Sequence, residues 1–267
     1  MILNYQHKQP ALSELKQSGE NIFIIHGLFG SFSNLFLLEN ELHDTHHTIS
    51  VDLRNHGSSP HDNSMTYHEM ANDIFRLADH LNIENFSIVG HSMGGKVAMA
   101  CALLNPQRIN KIVVADIAPV AYPEKHNDVF KGLTAVAKEQ ITTRKAADSI
   151  LSGYVKMPEV RQFLLKSLRK QGEYFKLQFN LSALIANYAS IRGWPESDNI
   201  FNKKVLFIKG SDSDYIKPEY QSTILRYFPN AQAKVINGTG HWLHAEKPKT
   251  FNRLVKEFFK STDNAAV

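Results

Sequence analysis

Gly90-His91-Ser92-Met93-Gly94 is the segment of this chain best suited to chemistry. A strand-like run, Phe86 to Gly90, precedes it, and a small-residue helical segment, Gly94 to Leu104, follows. A serine between strand and helix sits on a sharp, strained turn with its hydroxyl exposed, and its neighbours two positions away must be small. Gly90 and Gly94 meet that demand, and Gly95 lets the helix pack close. The first amides of the helix favour negative charge developing beside Ser92. A serine hydroxyl is a poor nucleophile at neutral pH without a base. In the chain order Ser, acid, His, the base comes late. His241, in Gly238-Thr239-Gly240-His241, falls between the last apolar run and the final helix and fits that place. His244 competes, but its position at the approach to the helix suits packing better. The imidazole needs an orienting acid. Asp116 ends the fourth apolar run, while Asp212 and Asp214 follow the fifth. Topology alone leans toward the later pair. An oxyanion needs two backbone donors. The N–H of Met93 is one, and His26-Gly27-Leu28-Phe29-Gly30 offers the other through Leu28, with Phe29 as second choice. Together these residues point to acyl transfer.

These groups must be positioned by elements far apart in the chain. Compact apolar runs occur at Ile22–Ile25, Thr48–Leu53, Phe86–Gly90, Ile112–Asp116, Val205–Ile208 and Ala233–Ile236. Runs of this length suit parallel strands buried on both faces. Helical patterns lie between them. Thr66 to Leu81 carries an apolar stripe and a Thr66/Glu69 capping box, and helices are expected at Ser92–Asn105, Pro218–Tyr227 and Pro248–Lys260. The alternation predicts a doubly wound, mostly parallel α/β sheet. From about 118 to 203 the alternation breaks. Helical patterns at Phe130–Lys138, Arg144–Leu151, Pro158–Arg169 and Tyr174–Tyr188 predict a helical cap inserted between two strands. The core is then 1–117 with 204–267, and the cap 118–203.

Composition excludes whole classes. The chain has 267 residues, is 43% hydrophobic and holds one cysteine. That is enough to bury a full core and too little sulfur for a disulfide framework or a multi-cysteine metal site. No apolar run reaches the length of a membrane span, and residues 1–20 read as no signal peptide, so a cytoplasmic setting is expected. The net charge is +4. Residues 118–203 hold 13 Lys+Arg against 8 Asp+Glu, so the excess sits on the insertion. Without a basic motif it argues for an anionic small-molecule substrate rather than nucleic acid. Arg54 and His56 follow a strand end and border the site or hold a loop. His43, His46 and His47 have ligand spacing on what reads as a solvated helix end. Cys101 reads as a buried small residue, and Phe175, Leu177, Phe179 and Leu181 as an acyl-pocket wall or the cap's own core.

His26-Gly27-x-x-Gly30, Asp52 to Ser59, Gly90 to Lys96 and Gly240-His241 occur in the order of the α/β-hydrolase superfamily, which the chain resembles along nearly its whole length. It resembles bacterial YbfF-type esterases more closely, through Asp52 to Gly57, Val114 to Val120, Phe179-Asn180-Leu181, Gly193-Trp194-Pro195 and His241 to Pro248. The resemblance implies a carboxylester hydrolase, with acyl-CoA thioesters as a further substrate class; the serine chemistry calls for no metal or cofactor. It also implies that the acid is Asp116. Similar motifs serve C–C hydrolases, lyases and cofactor-free haloperoxidases, which fold alone does not separate. A non-enzymatic binding protein on this fold would be expected to have lost the serine, the histidine or the glycines, and none is lost.

Overall fold

A computed structural model describes residues 1–11 and 19–260. Part of the N-terminal stretch read for a leader, 12–18, lies outside them. The chain runs through β1 (Tyr5–Lys8), β2 (Asn21–Ile25), α1 (Phe36–Leu42), β3 (His47–Val51), α2 (Tyr67–His80), β4 (Phe86–His91), α3 (Met93–Leu104) and β5 (Ile109–Ala115). An insertion follows, comprising α4 (Asn127–Lys138), α5 (Arg144–Ser152), α6 (Pro158–Leu165), β6 (Leu168–Gln171), β7 (Tyr174–Leu177), α7 (Leu181–Ala186) and α8 (Tyr188–Arg192). The chain then returns through β8 (Val205–Gly210), α9 (Gln221–Tyr227), β9 (Ala231–Ile236), α10 (Leu243–Glu246) and α11 (Pro248–Lys260). Among the described residues no helix is long and apolar enough to cross a membrane.

Seven strands form one sheet in the order β1-β3-β2-β4-β5-β8-β9. All neighbours are parallel except β1 and β3. Side chains alternate between the two faces. Phe23, Ile25, Ile112, Val114 and Phe207 join the core with α2 and α3, whereas Ile22, Ile24, Val113, Ala115 and Ile208 join the core with α1 and α11. That double burial is why the sequence reads as near-continuous apolar runs. The capping box holds: Thr66 Oγ1 accepts the Glu69 N–H, and the Glu69 carboxylate accepts the Thr66 N–H.

Three elements depart from the sequence expectation. β1 carries Tyr-Gln-His-Lys, pairs on one side only, and so shows no apolar run. β9 is the opposite edge, and its middle residues are exposed rather than buried. The insertion is not helical throughout. Where helices were expected over Pro158–Arg169 and Tyr174–Tyr188, β6 and β7 form an antiparallel hairpin pairing Leu168 with Leu177 and Gln171 with Tyr174. Its two-residue loop places Gly172 at φ +63, a conformation glycine adopts without strain. The signal for it is the alternation of Phe175, Leu177 and Phe179 after that glycine.

Candidate active site

The turn after β4 places Ser92 at φ 54 and ψ −120, outside the conformations a serine normally adopts. Packing enforces it. A Cβ on Gly90 would stand 2.1 Å from the Gly94 carbonyl oxygen, and one on Gly94 would stand 2.4 Å from the Ile25 carbonyl oxygen. The Ser92 N–H donates to the Ala115 carbonyl (2.9 Å), and the Gly95 and Lys96 amides return to the Ser92 carbonyl. The strained residue is thus tied to β5 on one side and starts α3 on the other.

Ser92 Oγ lies 2.9 Å from His241 Nε2, and His241 Nδ1 lies 2.8 Å from Asp116 Oδ2. Asp116 has left-handed backbone at φ 52 and is fully buried. Its Oδ1 accepts the Gly210 N–H at 3.1 Å, and its Oδ2 also accepts the Ser213 hydroxyl. Tyr215 stacks on the His241 ring at 3.9 Å with 20° between planes. Behind it, His91 Nε2 donates to the His241 carbonyl (2.8 Å); burial holds the His91 imidazole well below its ordinary pKa and therefore neutral. The structure brings together Ser92, His241 and Asp116. The other expected acids lie elsewhere. Asp212 accepts the Ser211 hydroxyl (2.7 Å), and Asp214 pairs with Lys125 (2.5 Å) while 61% exposed. His244 is buried against the His91 ring at 4.3 Å, and burial pushes its pKa down to about 3.

The loop Gly27–Gly30 faces Ser92 so closely that a Cβ on Gly27 would stand 3.2 Å from the Ser92 Cβ. Two buried histidines hold it. His26 Nδ1–H donates to the Gly27 carbonyl (2.7 Å), and its Nε2 accepts the Leu53 N–H (3.0 Å). His56 Nδ1–H donates to the Arg54 carbonyl (3.0 Å), and its Nε2 accepts the Phe29 N–H (3.2 Å). Both rings must be neutral to accept, and burial pushes their pKa values down to about 4 and about 3. The Phe29 amide is thereby committed, while Leu28 and Met93 line the cavity with Ser92. Arg54 does not reach that cavity; its guanidinium is held by Asp73 (2.7 Å) and the Ser64 carbonyl (2.8 Å).

The cavity over Ser92 has a volume of about 510 Å³ and a mostly apolar wall. Leu28, Met93 and Ile117 form its floor with Ser92, and Tyr122, His126, Met157, Phe163, Tyr188 and Arg192 reach it from the insertion. Phe175, Leu177, Phe179 and Leu181 do not line it; Phe179 packs against Phe29 at 5.5 Å, and the other three pack on the core. A larger open groove of about 1260 Å³, between α4, α5 and α7, holds none of Ser92, His241 and Asp116.

Lys96, one turn beyond Ser92, is not singled out by the sequence. Its Nζ is buried and donates to the carbonyls of Arg192 (3.0 Å) and Gly193 (2.6 Å), over the Tyr122 ring at 4.8 Å. Burial lowers its pKa to about 7. Arg192 is also bonded to Tyr122 through both main chains (2.9 Å), so Lys96 ties α3 to the two ends of the insertion. Ser213 and Tyr215 are not singled out either. Their only signal in the sequence is their place beside Asp212 and Asp214 in the loop after β8.

Fold and site geometry together define a hydrolase of the α/β type, and comparison agrees. The family model for the alpha/beta hydrolase fold matches residues 20–248, and the chain belongs to that family. It is 41% identical over 238 residues to Esterase YbfF of Escherichia coli, covering 89% of this chain and 92% of that protein. It is 36% identical over 247 residues to the sn-1-specific diacylglycerol lipase ABHD11 of Mus musculus, covering 89% and 80%. Among solved structures, a marine microorganism esterase superposes with a TM-score of 0.90 at 34% identity, covering 97% of this chain and 99% of that one. These relatives support a hydrolase of the esterase and lipase type.

Proposed function

We propose that the protein is a serine esterase with Ser92 as nucleophile, His241 as general base and acid, and Asp116 as the orienting carboxylate. The observation that carries this is the continuous hydrogen-bond line from Ser92 Oγ through both nitrogens of His241 to Asp116 Oδ2, on the floor of an apolar cavity. Ser92 Oγ attacks the ester carbonyl as its proton passes to His241 Nε2. The imidazolium keeps its Nδ1–H on Asp116, whose negative charge stabilises it. The oxyanion lies against the Met93 and Leu28 N–H groups, close to the start of α3. His241 then protonates the departing alcohol, leaving the acyl group on Ser92. Water, deprotonated by the same histidine, releases the acid and restores the hydroxyl.

In this reading residues 118–203 act as a cap on a core of 1–117 and 204–267. A second cavity of about 870 Å³ opens on the other side of His241 and does not include Ser92, Leu28 or Met93. Since the leaving group takes its proton from His241, we assign it to this second cavity and the acyl chain to the first. The leaving-group cavity is lined by Glu159, Asp212, Asp214 and Glu246 against Lys166. The basic excess of the insertion therefore does not gather there, which favours neutral alcohols over the polyanionic coenzyme A. Cys101 is buried with its thiol pKa raised, which keeps it unreactive and outside the proposed chemistry.

The test is Ser92→Ala with p-nitrophenyl acetate. Turnover is expected to fall by about ten-thousandfold or more, with loss of fluorophosphonate labelling. Full activity in the variant sinks the mechanism. An acyl-CoA turned over faster than a matched neutral ester, at a kcat/KM that falls steeply with salt, would overturn the leaving-group assignment.

A further inference from the structure

His126 stands just ahead of α4 and lines the cavity that holds Ser92 but not the cavity beyond His241. Three contacts meet at the Tyr188 hydroxyl. It accepts the main-chain N–H groups of Lys125 (3.2 Å) and His126 (3.3 Å), and it lies 2.7 Å from His126 Nδ1. A phenol has one proton to give. With both amides donating to its oxygen, that proton is directed at Nδ1, so Nδ1 is an acceptor. The neutral ring must then carry its proton on Nε2, and burial favours the neutral form by pushing the pKa down to about 4. Nε2–H has no acceptor among the described residues. The ring itself is held by Tyr188 at 5.7 Å and by the edge of Phe29, in the loop facing Ser92, at 6.1 Å. The result is a neutral donor of fixed orientation set in a mostly apolar wall. A plain alkyl chain that expels water from this wall leaves the donor unpaired, whereas a chain carrying an oxygen acceptor satisfies it.

We infer that His126 Nε2–H reads an acceptor oxygen on the acyl chain, so that the enzyme prefers esters of oxo- or alkoxy-substituted acids to unsubstituted alkanoates of equal length. Tyr188 acts through His126 as a positioning residue. The inference rests on the proposed ester hydrolysis and on the acyl chain occupying the cavity at Ser92.

The experiment compares p-nitrophenyl esters of a straight-chain acid with analogues in which one methylene, beyond the carbon next to the carbonyl, is replaced by an ether oxygen or a ketone. Each rate is normalised to alkaline hydrolysis of the same ester. The wild-type protein is expected to favour at least one oxygenated ester by about fivefold in kcat/KM, the size of one neutral hydrogen bond. The ratio should fall to about one in His126→Phe and be partly kept in His126→Gln, which retains an amide N–H. A ratio between two substrates in one preparation is independent of the fraction folded. A wild-type ratio near one for every analogue overturns the inference, as does a preference that survives in His126→Phe. Absence of turnover of any ester by the wild-type protein, or equal turnover by Ser92→Ala, overturns the esterase reading instead.

Discussion

The loops after β5 and β8 leave adjacent parallel strands at the same edge of the sheet, and both carry aspartates. Their carboxylates meet opposite fates. Asp116 is fully buried and receives the His241 ring, the Gly210 amide and the Ser213 hydroxyl. Asp214 is 61% exposed and pairs with a surface lysine, Lys125. A carboxylate can hold an imidazole in one tautomer only if its own oxygens are oriented and shielded from water; Asp116 is shielded by its burial and oriented by the Gly210 amide and the Ser213 hydroxyl. The second loop contributes donors to that carboxylate rather than a carboxylate of its own. The same contrast separates two lysines. Lys125 shares an exposed ion pair with Asp214, while Lys96 is buried and bonds to two main-chain carbonyls.

The sharpest way to break the comparison is Asp116→Asn. It should lower kcat on p-nitrophenyl acetate by about a thousand- to ten-thousandfold with the fold intact by circular dichroism. A loss below tenfold would mean that another group orients His241.

Lys96 should show its burial in the pH dependence of stability. Its pKa is about 7 in the fold against 10.5 as the ordinary value, so between those two the unfolded chain binds more protons. Stability therefore rises with pH across that window and is lost as pH falls toward about 7. Relative to Lys96→Met, wild type should gain roughly 1 kcal/mol per pH unit in urea unfolding across it. A flat difference removes the buried-charge argument.

Ser213→Ala withdraws one donor from Asp116 and should reduce kcat by about three- to tenfold, the size of one hydrogen bond to a charged group partly replaced by water. An unchanged kcat would mean that the loop after β8 is a bystander. The smallest effects belong to Asp212→Asn and Asp214→Asn. Each should leave kcat/KM within about twofold, because the exposed hydrogen bond of Asp212 with Ser211 and the exposed ion pair of Asp214 with Lys125 contribute little. A hundredfold loss in Asp214→Asn would reverse the assignment of the acid.

What could be read without coordinates was what neighbouring residues impose on one another. The Gly90–Gly94 spacing around Ser92, the capping box at Thr66 and Glu69, and the near-continuous apolar runs that fill both faces of the sheet all act within a few residues. The family resemblance implied Asp116 as the acid, where the residues alone leaned toward Asp212 or Asp214, and the proposed mechanism takes the residue that bonds His241. The tertiary structure decided everything that depends on distant chain segments meeting. The bonds that join Ser92 to His241 and His241 to Asp116 span 149 and 125 positions, and the Ser213 bond to Asp116 spans 97. Lys96 reaches its carbonyls across 96 and 97 positions, and His126 meets Tyr188 across 62. Local spacing carries no information about such encounters. Burial and directed hydrogen bonds, which give one aspartate, one lysine and one histidine their particular chemistry, exist only once the sheet edge and the insertion are packed together.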